Sequence, residues 1–443
     1  MIRETLYIIT LLLTLHIAAV CSGKLYSINN SDDLKALKLK PGDTVVIRSG
    51  VLKDQAFHLK GAGTKEAPIV LMAEKAGMVK LTGRSALKID GQWLIVDGLF
   101  FTDGYSLKED VVAFSKKSAY CRLTNTAIKN YNPPSDETEY KWVSLYGTNN
   151  RLDHCNITGK NHQGATVVVW LSETPNYHSI DHNYFGGRPP LGRNGGETIR
   201  IGTSDWSFHP SYTLVEDNIF DQCDGEIEII SVKSLYNTIR RNLFYESDGM
   251  LTLRHGNYNT VRDNFFIGNG KKNTGGVRII GEHHIVSNNY MQGLRGTGIM
   301  SAISIMNTVE NPKLNEYWRV KNAVIDSNII IDCSEAFVIG SGKDAVRKVP
   351  PDSVFISYNY IQNAGSTVIE NEKIKTLFAG HNRVWRSAAP AGFTKSARQL
   401  LQKDSNGIWQ LPGDNLQPFW LSEAIGPGWD SDIKKAIGKI RIK

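Results

Sequence analysis

Short apolar runs broken by turn residues dominate the chain, and an Asn recurs in front of them. The instances are Asn125, Asn156, Asn183, Asn218, Asn242, Asn264, Asn289, Asn328, Asn359 and Asn382, in words such as EDNIFD, RRNLFY and RDNFFI. From Asn218 through Asn242 and Asn264 to Asn289 the interval is roughly two dozen residues, a solenoid period. Runs such as YNTIRRNLFY and YNTVRDNFFI are rich in β-branched and aromatic residues, which favours short strands over helices. Helical periodicity is not evident through this region. The pattern predicts an all-β chain, a single-domain right-handed parallel β-helix with terminal caps, in which Asn side chains ladder inside one turn of each coil. The wider intervals, Asn183 to Asn218 and Asn289 to Asn328, are expected to hold inserted loops.

A solenoid needs closed ends. LKPGDTVVIRSG (residues 39–50) and APIVLMAE (67–74) read as first strands, and the helix-like SDDLKALK before them as a cap. Past about Ser387 the Asn pattern fades. Residues 388–443 carry Trp409, Trp420, Trp429 and the helix-like SDIKKAIGKI, and read as a C-terminal cap or packed tail. The division is therefore 1–23 as a leader, 24–387 as the β-helix and 388–443 as the tail. In the leader, the apolar run from Leu6 to Val20 is short for a membrane span and suits a secretory signal. Ala18-Ala19-Val20-Cys21 loosely resembles a lipobox, so a secreted or periplasmic protein and an outer-membrane lipoprotein anchored through Cys21 both stand as expectations. No later segment reads as a transmembrane segment.

Composition narrows the partner. The 443 residues carry a formal net charge of +7, which suits a polyanion. There is no long Lys/Arg run, zinc-finger spacing or RNA-binding motif, which leaves an acidic polysaccharide ahead of nucleic acid. The oligomeric state has no signal in the sequence. Cys121, Cys155, Cys223 and Cys333 form no CxxC pair and are too sparse for a disulfide scaffold. Cys223 and Cys333 share a phase but lie several coils apart, beyond disulfide reach of about 7 Å. All four are expected to be buried, small core residues.

Candidate chemistry concentrates in CDGEIEIISVKS (Cys223 to Ser234) and LTLRHGN (Leu251 to Asn257). Glu226 and Glu228 are two apart, so a strand would turn both to one face. Taken singly they read as a solvated strand face, and Lys233 as a surface lysine. Together with Arg254 and His255 one repeat later, they suit a hard cation and a base acting on an acidic sugar.

RNGGETIRIGTS (Arg193 to Ser204), GEIEIISVKS, LTLRHGN and GGVRIIGEHH (Gly275 to His284), in that order, resemble polysaccharide lyase family 6, the family of alginate lyases and chondroitinase B, from about residue 25 to residue 385. The resemblance implies a parallel β-helix and a calcium-dependent β-elimination on a uronate polymer. It implies Ca²⁺ ligands at Asn194, Glu226 and Glu228, a base at Lys233, and at Arg254 a group that assists protonation of the leaving oxygen or stabilises charge. His255 matches a neighbouring site residue, with a wall histidine as its other reading. Arg278 in GGVRIIGE is expected to bind a substrate carboxylate and His162 in GKNHQGATVVVWL to line the groove. Arg200 in ETIRIG is either a substrate contact or a structural cation paired with a carboxylate. For Lys233 to act as a base near neutral pH its pKa must fall, towards which Ca²⁺ and Arg254 would both push. The motif wording resembles alginate-cleaving members more than chondroitinase B. A dermatan sulfate lyase and a non-catalytic, glycan-binding β-helix are the alternatives, and no close Asp pair supports a hydrolase.

Overall fold

The computed structural model describes residues 23–413 and 418–443. The expected leader, with Cys21, lies outside the described residues apart from its last position.

Three long parallel sheets, the first and second of 14 strands and the third of 12, wind into a right-handed β-helix. One coil shows the logic. Leu214–Glu216 lies in the first sheet, Ile219–Cys223 in the second and Glu228–Lys233 in the third, before Thr238–Arg240 returns to the first. Alternate residues point inward, so Val215, Phe220, Ile230 and Val232 are all fully buried. Each inward residue then stacks on its counterpart one coil away. Phe185, Phe220, Phe244 and Phe266 form such a column, with ring centroids 5.0, 4.8 and 4.6 Å apart, close to the strand spacing.

The turn between the first and second sheets holds the Asn ladder. A residue with positive φ, such as Asp217 (φ 55°) or Arg241 (φ 54°), reverses the chain, and the next residue is the ladder Asn. Asn218 N–H donates to Asn242 Oδ1 at 3.1 Å, and Asn242 N–H to Asn264 Oδ1 at 3.0 Å. The ladder runs from Asn183 through Asn382. Two of the ten expected members fall outside it. Asn125 occupies the positive-φ position (φ 51°), and Thr126 takes the ladder slot, accepting from Leu99 N–H. Asn156 is the first residue of the following strand, and Cys155 holds the slot, its N–H donating to Asn183 Oδ1 at 2.9 Å.

At the N-terminal end, the helix Ser31–Lys35, capped by Asn30, buries Leu34 against the first coils. At the C-terminal end the strand Phe393–Lys395 pairs with Asn382–Trp385 and sets Phe393 into the core beside Phe337. After the strand Phe393–Lys395 the tail turns back along the outer face of the second sheet. Trp409 N–H donates to Tyr290 Oη, Trp420 meets Phe265 edge-on at 5.0 Å, and Trp429 Nε1 donates to Asn125 O. The chain then closes through the helix Ser431–Ile437 to Gln292, whose side chain donates to Lys443 O. It is a strap over apolar side chains of the second sheet from Tyr184 to Tyr360, the second hydrophobic cluster of the molecule. Cys121, Cys155, Cys223 and Cys333 are buried, free thiols. No helix of the described residues is long and apolar enough to cross a membrane.

Candidate active site

The outer face of the third sheet carries the polar residues that the core cannot accept. Register aligns Arg200, Ser231, Thr252, Arg278 and Ser304 across five successive strands. Just upstream of these strands two glycines bring two loops into backbone contact. A Cβ on Gly196 would lie 2.3 Å from Gly225 O, and one on Gly225 would lie 2.2 Å from Gly196 O. Only glycines permit that approach, and it stacks the NGGE loop on the DGEIE loop.

The result is a cluster of three carboxylates. Glu226 lies in the loop, two residues before Glu228, the first residue of the strand Glu228–Lys233, so the two approach the site from a loop and a strand end rather than from one strand face. Glu226 Oε2 accepts the Gly195 N–H at 3.1 Å. Burial, then the neighbouring Glu197 and Glu228, push its carboxyl up to about 7. Glu197 is buried, with Oε2 lacking any hydrogen-bond partner among the described residues. Its Oε1 lies 4.0 Å from Lys233 Nζ. Asn194 is exposed in the loop beside it.

Glu228 is held by cations. Arg278, itself buried, ion-pairs with it, Ser231 Oγ donates to it, and Arg254 Nε lies 3.7 Å away. Arg278 is thus committed to a protein carboxylate, where a substrate contact had been expected. Lys233 ends its strand after a register slip at Val232 and pairs with His255 on the next coil. His255 Nε2 is 3.2 Å from Ser204 Oγ. Burial, then Arg254 and Lys233, push this imidazole down to about 3, so it is neutral at physiological pH. The Arg254 guanidinium packs 4.2 Å over the Tyr317 ring and donates to Asn315 O, and burial pulls it below its usual value.

Two expected groove residues sit differently. His162 is fully buried, packed on Tyr140 at 4.0 Å and facing Thr138 O and Lys160 Nζ. Its ring belongs to the wall beneath the site and does not line the groove. Burial, then Lys160, push it down to about 3. Among the described residues Arg200 pairs with no carboxylate. Its guanidinium lies 5.5 Å over Trp170, which stacks on Tyr146 at 5.4 Å, an aromatic support for a cation facing the groove.

Glu197, Arg188, Trp170 and Tyr317 were missed in the sequence. Glu197 stood three residues after Asn194 in the same quoted motif, and oxygen chemistry alone could have raised it. Tyr317 lies in an insert with no repeat signal. A second acidic group, His182, Asp217 and Glu423, has its ligand atoms within 4.8 Å of one another. Arg241 already bridges Asp217 and Glu423 there, at 2.7 and 2.5 Å. That group clasps the C-terminal strap to the second sheet, away from the third-sheet groove.

Comparison with known proteins places this geometry. A family model described as chondroitinase B matches residues 28–376. An arginine-to-alanine variant of the PL6 family alginate lyase AlyGC is similar at 37% identity and TM-score 0.87, over 92% of this chain and 59% of that one. This chain therefore spans about three fifths of the AlyGC length. A mannuronic acid specific family 6 lyase from human gut microbiota is 32% identical, TM-score 0.81, over 94% of this chain and 98% of that one. A PL6 family polysaccharide lyase from Pseudopedobacter saltans is 28% identical, TM-score 0.71, over 81% and 92%. No curated protein sequence matched. Since the family match spans the same coils that assemble the carboxylates, Lys233 and Arg254, the chain belongs to the chondroitinase B family, polysaccharide lyase family 6.

Proposed function

We propose that the chain is a calcium-dependent lyase that cleaves alginate by β-elimination in the third-sheet groove. The observation that carries this reading is the convergence of Glu197, Glu226 and Glu228 beside Lys233 and Arg254. Three carboxylates brought together, two buried and Glu226 half-buried, repel one another, and Glu197 Oε2 has no hydrogen-bond partner among the described residues. An all-oxygen donor set of this kind fits Ca²⁺, with Glu226, Glu228 and Asn194 as expected ligands and Glu197 added to them. When bound, Ca²⁺ supplies positive charge against the uronate carboxylate and so acidifies the adjacent C5–H.

The chain's own groups do the rest. Lys233 takes the C5 proton; the C4–O bond breaks and the C4=C5 double bond forms. Arg254, held over Tyr317, faces the charge that develops and assists proton delivery to the leaving oxygen. Neutral His255, tied to Ser204, borders the base without competing for its proton. Arg200, backed by Trp170, offers a guanidinium to the carboxylate of a neighbouring sugar. Arg278 acts indirectly, by fixing Glu228.

The similar proteins described as alginate lyases support the substrate. The chondroitinase B description favours one second reading, a dermatan sulfate lyase with the same groups. The test is ultraviolet absorbance of the unsaturated uronate product on poly-mannuronate, poly-guluronate, alternating alginate and dermatan sulfate, each with and without chelator. A chelator-sensitive rise on an alginate supports the proposal. A rise on dermatan sulfate alone keeps the chemistry and changes the polymer, and no rise on any of them refutes the lyase reading.

A further inference from the structure

We propose that Arg188 is a positioning residue for the cation site, fixing the two loops that carry its carboxylates; this rests on the calcium reading above. Arg188 ends the strand Tyr184–Arg188, just ahead of the Arg193–Ser204 motif and outside it, and its side chain is buried. Burial lowers its guanidinium only to about 10, so it stays charged at neutral pH. A buried cation ordinarily pairs with an anion. This one donates instead to four backbone carbonyls and a hydroxyl. Nη1 donates to Glu197 O at 2.6 Å and Thr166 Oγ1 at 2.8 Å. Nη2 donates to Gly164 O at 3.0 Å, Gly195 O at 3.1 Å and His162 O at 3.2 Å.

Gly195 and Glu197 flank the glycine that stacks on Gly225, and the carbonyls of both point at Arg188. That fixes the orientation of the NGGE backbone, and Gly195 in turn donates its N–H to Glu226. On the other side, a Cβ at Gly225 would lie 2.6 Å from Arg188 Nε, so the DGEIE loop rests directly on the guanidinium. One planar fork therefore touches both carboxylate-bearing loops, a role that the single point of a lysine ammonium cannot fill. Groups that orient ligands in this way typically alter metal affinity by about 10–100-fold.

Charge and geometry predict opposite outcomes, which makes the proposal testable. Removing a positive charge near a cation site would, by charge alone, tighten cation binding. The experiment measures Ca²⁺ binding by isothermal titration calorimetry, and the Ca²⁺-induced rise in melting temperature, for the wild type, Arg188→Met and Arg188→Lys. Circular dichroism and melting in chelator report on the fold. The expected result is a loss of calcium affinity of about 10–100-fold in both variants, with half-maximal activity shifted to higher calcium and kcat recovered at saturation. Calcium binding as tight as wild type in a folded variant overturns the proposal alone. If the methionine variant does not fold, the lysine variant decides. A wild type that takes up no Ca²⁺ overturns this proposal together with the calcium reading.

Discussion

Lowering the pH from about 8 to about 6 is predicted to weaken calcium uptake about tenfold, because the ion must displace a proton from Glu226. In the cation-free site this carboxyl is pushed up to about 7, against 4.5 for an ordinary Glu, by burial first and then by Glu197 and Glu228. At about 1.4 kcal/mol per unit, holding that charge without a cation costs about 3 kcal/mol. The sign follows from the raised value. The unfolded chain loses its proton near pH 4.5 and the folded chain near 7, so the cation-free protein loses stability as pH rises between these values. A bound cation favours the ionised form and reverses the loss. Below about pH 7 each ion taken up should release nearly one proton from this group, and affinity should fall about tenfold per unit; above about pH 8 it should be flat. Titration calorimetry at both pH values, in buffers of different ionisation enthalpy, counts the protons. Equal affinity at both pH values with no proton release would refute the reasoning.

Three further outcomes follow from the packing. Lys233→Ala should abolish product absorbance while leaving the melting temperature near that of wild type; normal turnover in this variant would remove Lys233 as the base. Arg278→Ala removes the nearer of the two cations on the buried Glu228 carboxylate, leaving Arg254 at 3.7 Å, and should cost up to about 3–5 kcal/mol in urea unfolding, whereas a purely substrate-binding arginine would raise KM at constant stability. Asn264→Ala removes the acceptor for Asn242 N–H and the donor to Ile239 O and Arg262 O; at about 1–3 kcal/mol for each buried group left without a partner, it should destabilise the protein far more than Asn125→Ala, and equal effects would contradict the ladder assignment.

The fold was legible because a β-helix writes its geometry locally. Inward alternation and a turn Asn recur once per coil, so eight of ten Asn positions matched the ladder. The two mismatches, Asn125 and Asn156, are single-residue phase errors: an Asn is equally at home in the positive-φ position before the slot, and a strand tolerates one just after it. The site was legible only in part. Glu226, Glu228, Lys233 and Arg254 do meet on the third sheet, but Arg278 is absorbed by Glu228 and His162 faces inward. A short sequence word fixes a residue's chemistry, and its partners lie on other coils.

The sequence by itself determined the period, the core and the supply of carboxylates and cations, because each depends on residues within one coil. Only the tertiary structure decided which of them touch. Stacking at about 4.8 Å per coil makes neighbours of residues twenty to thirty positions apart, which is how Gly196 meets Gly225 and Glu197 joins Glu226. Inserts and the C-terminal strap lie outside the repeat, so their paths, Tyr317 onto Arg254 and Glu423 onto His182, depend on packing against coils already formed. Arg188 is the sharpest case, since its partners are backbone carbonyls, which every residue carries and no sequence pattern marks.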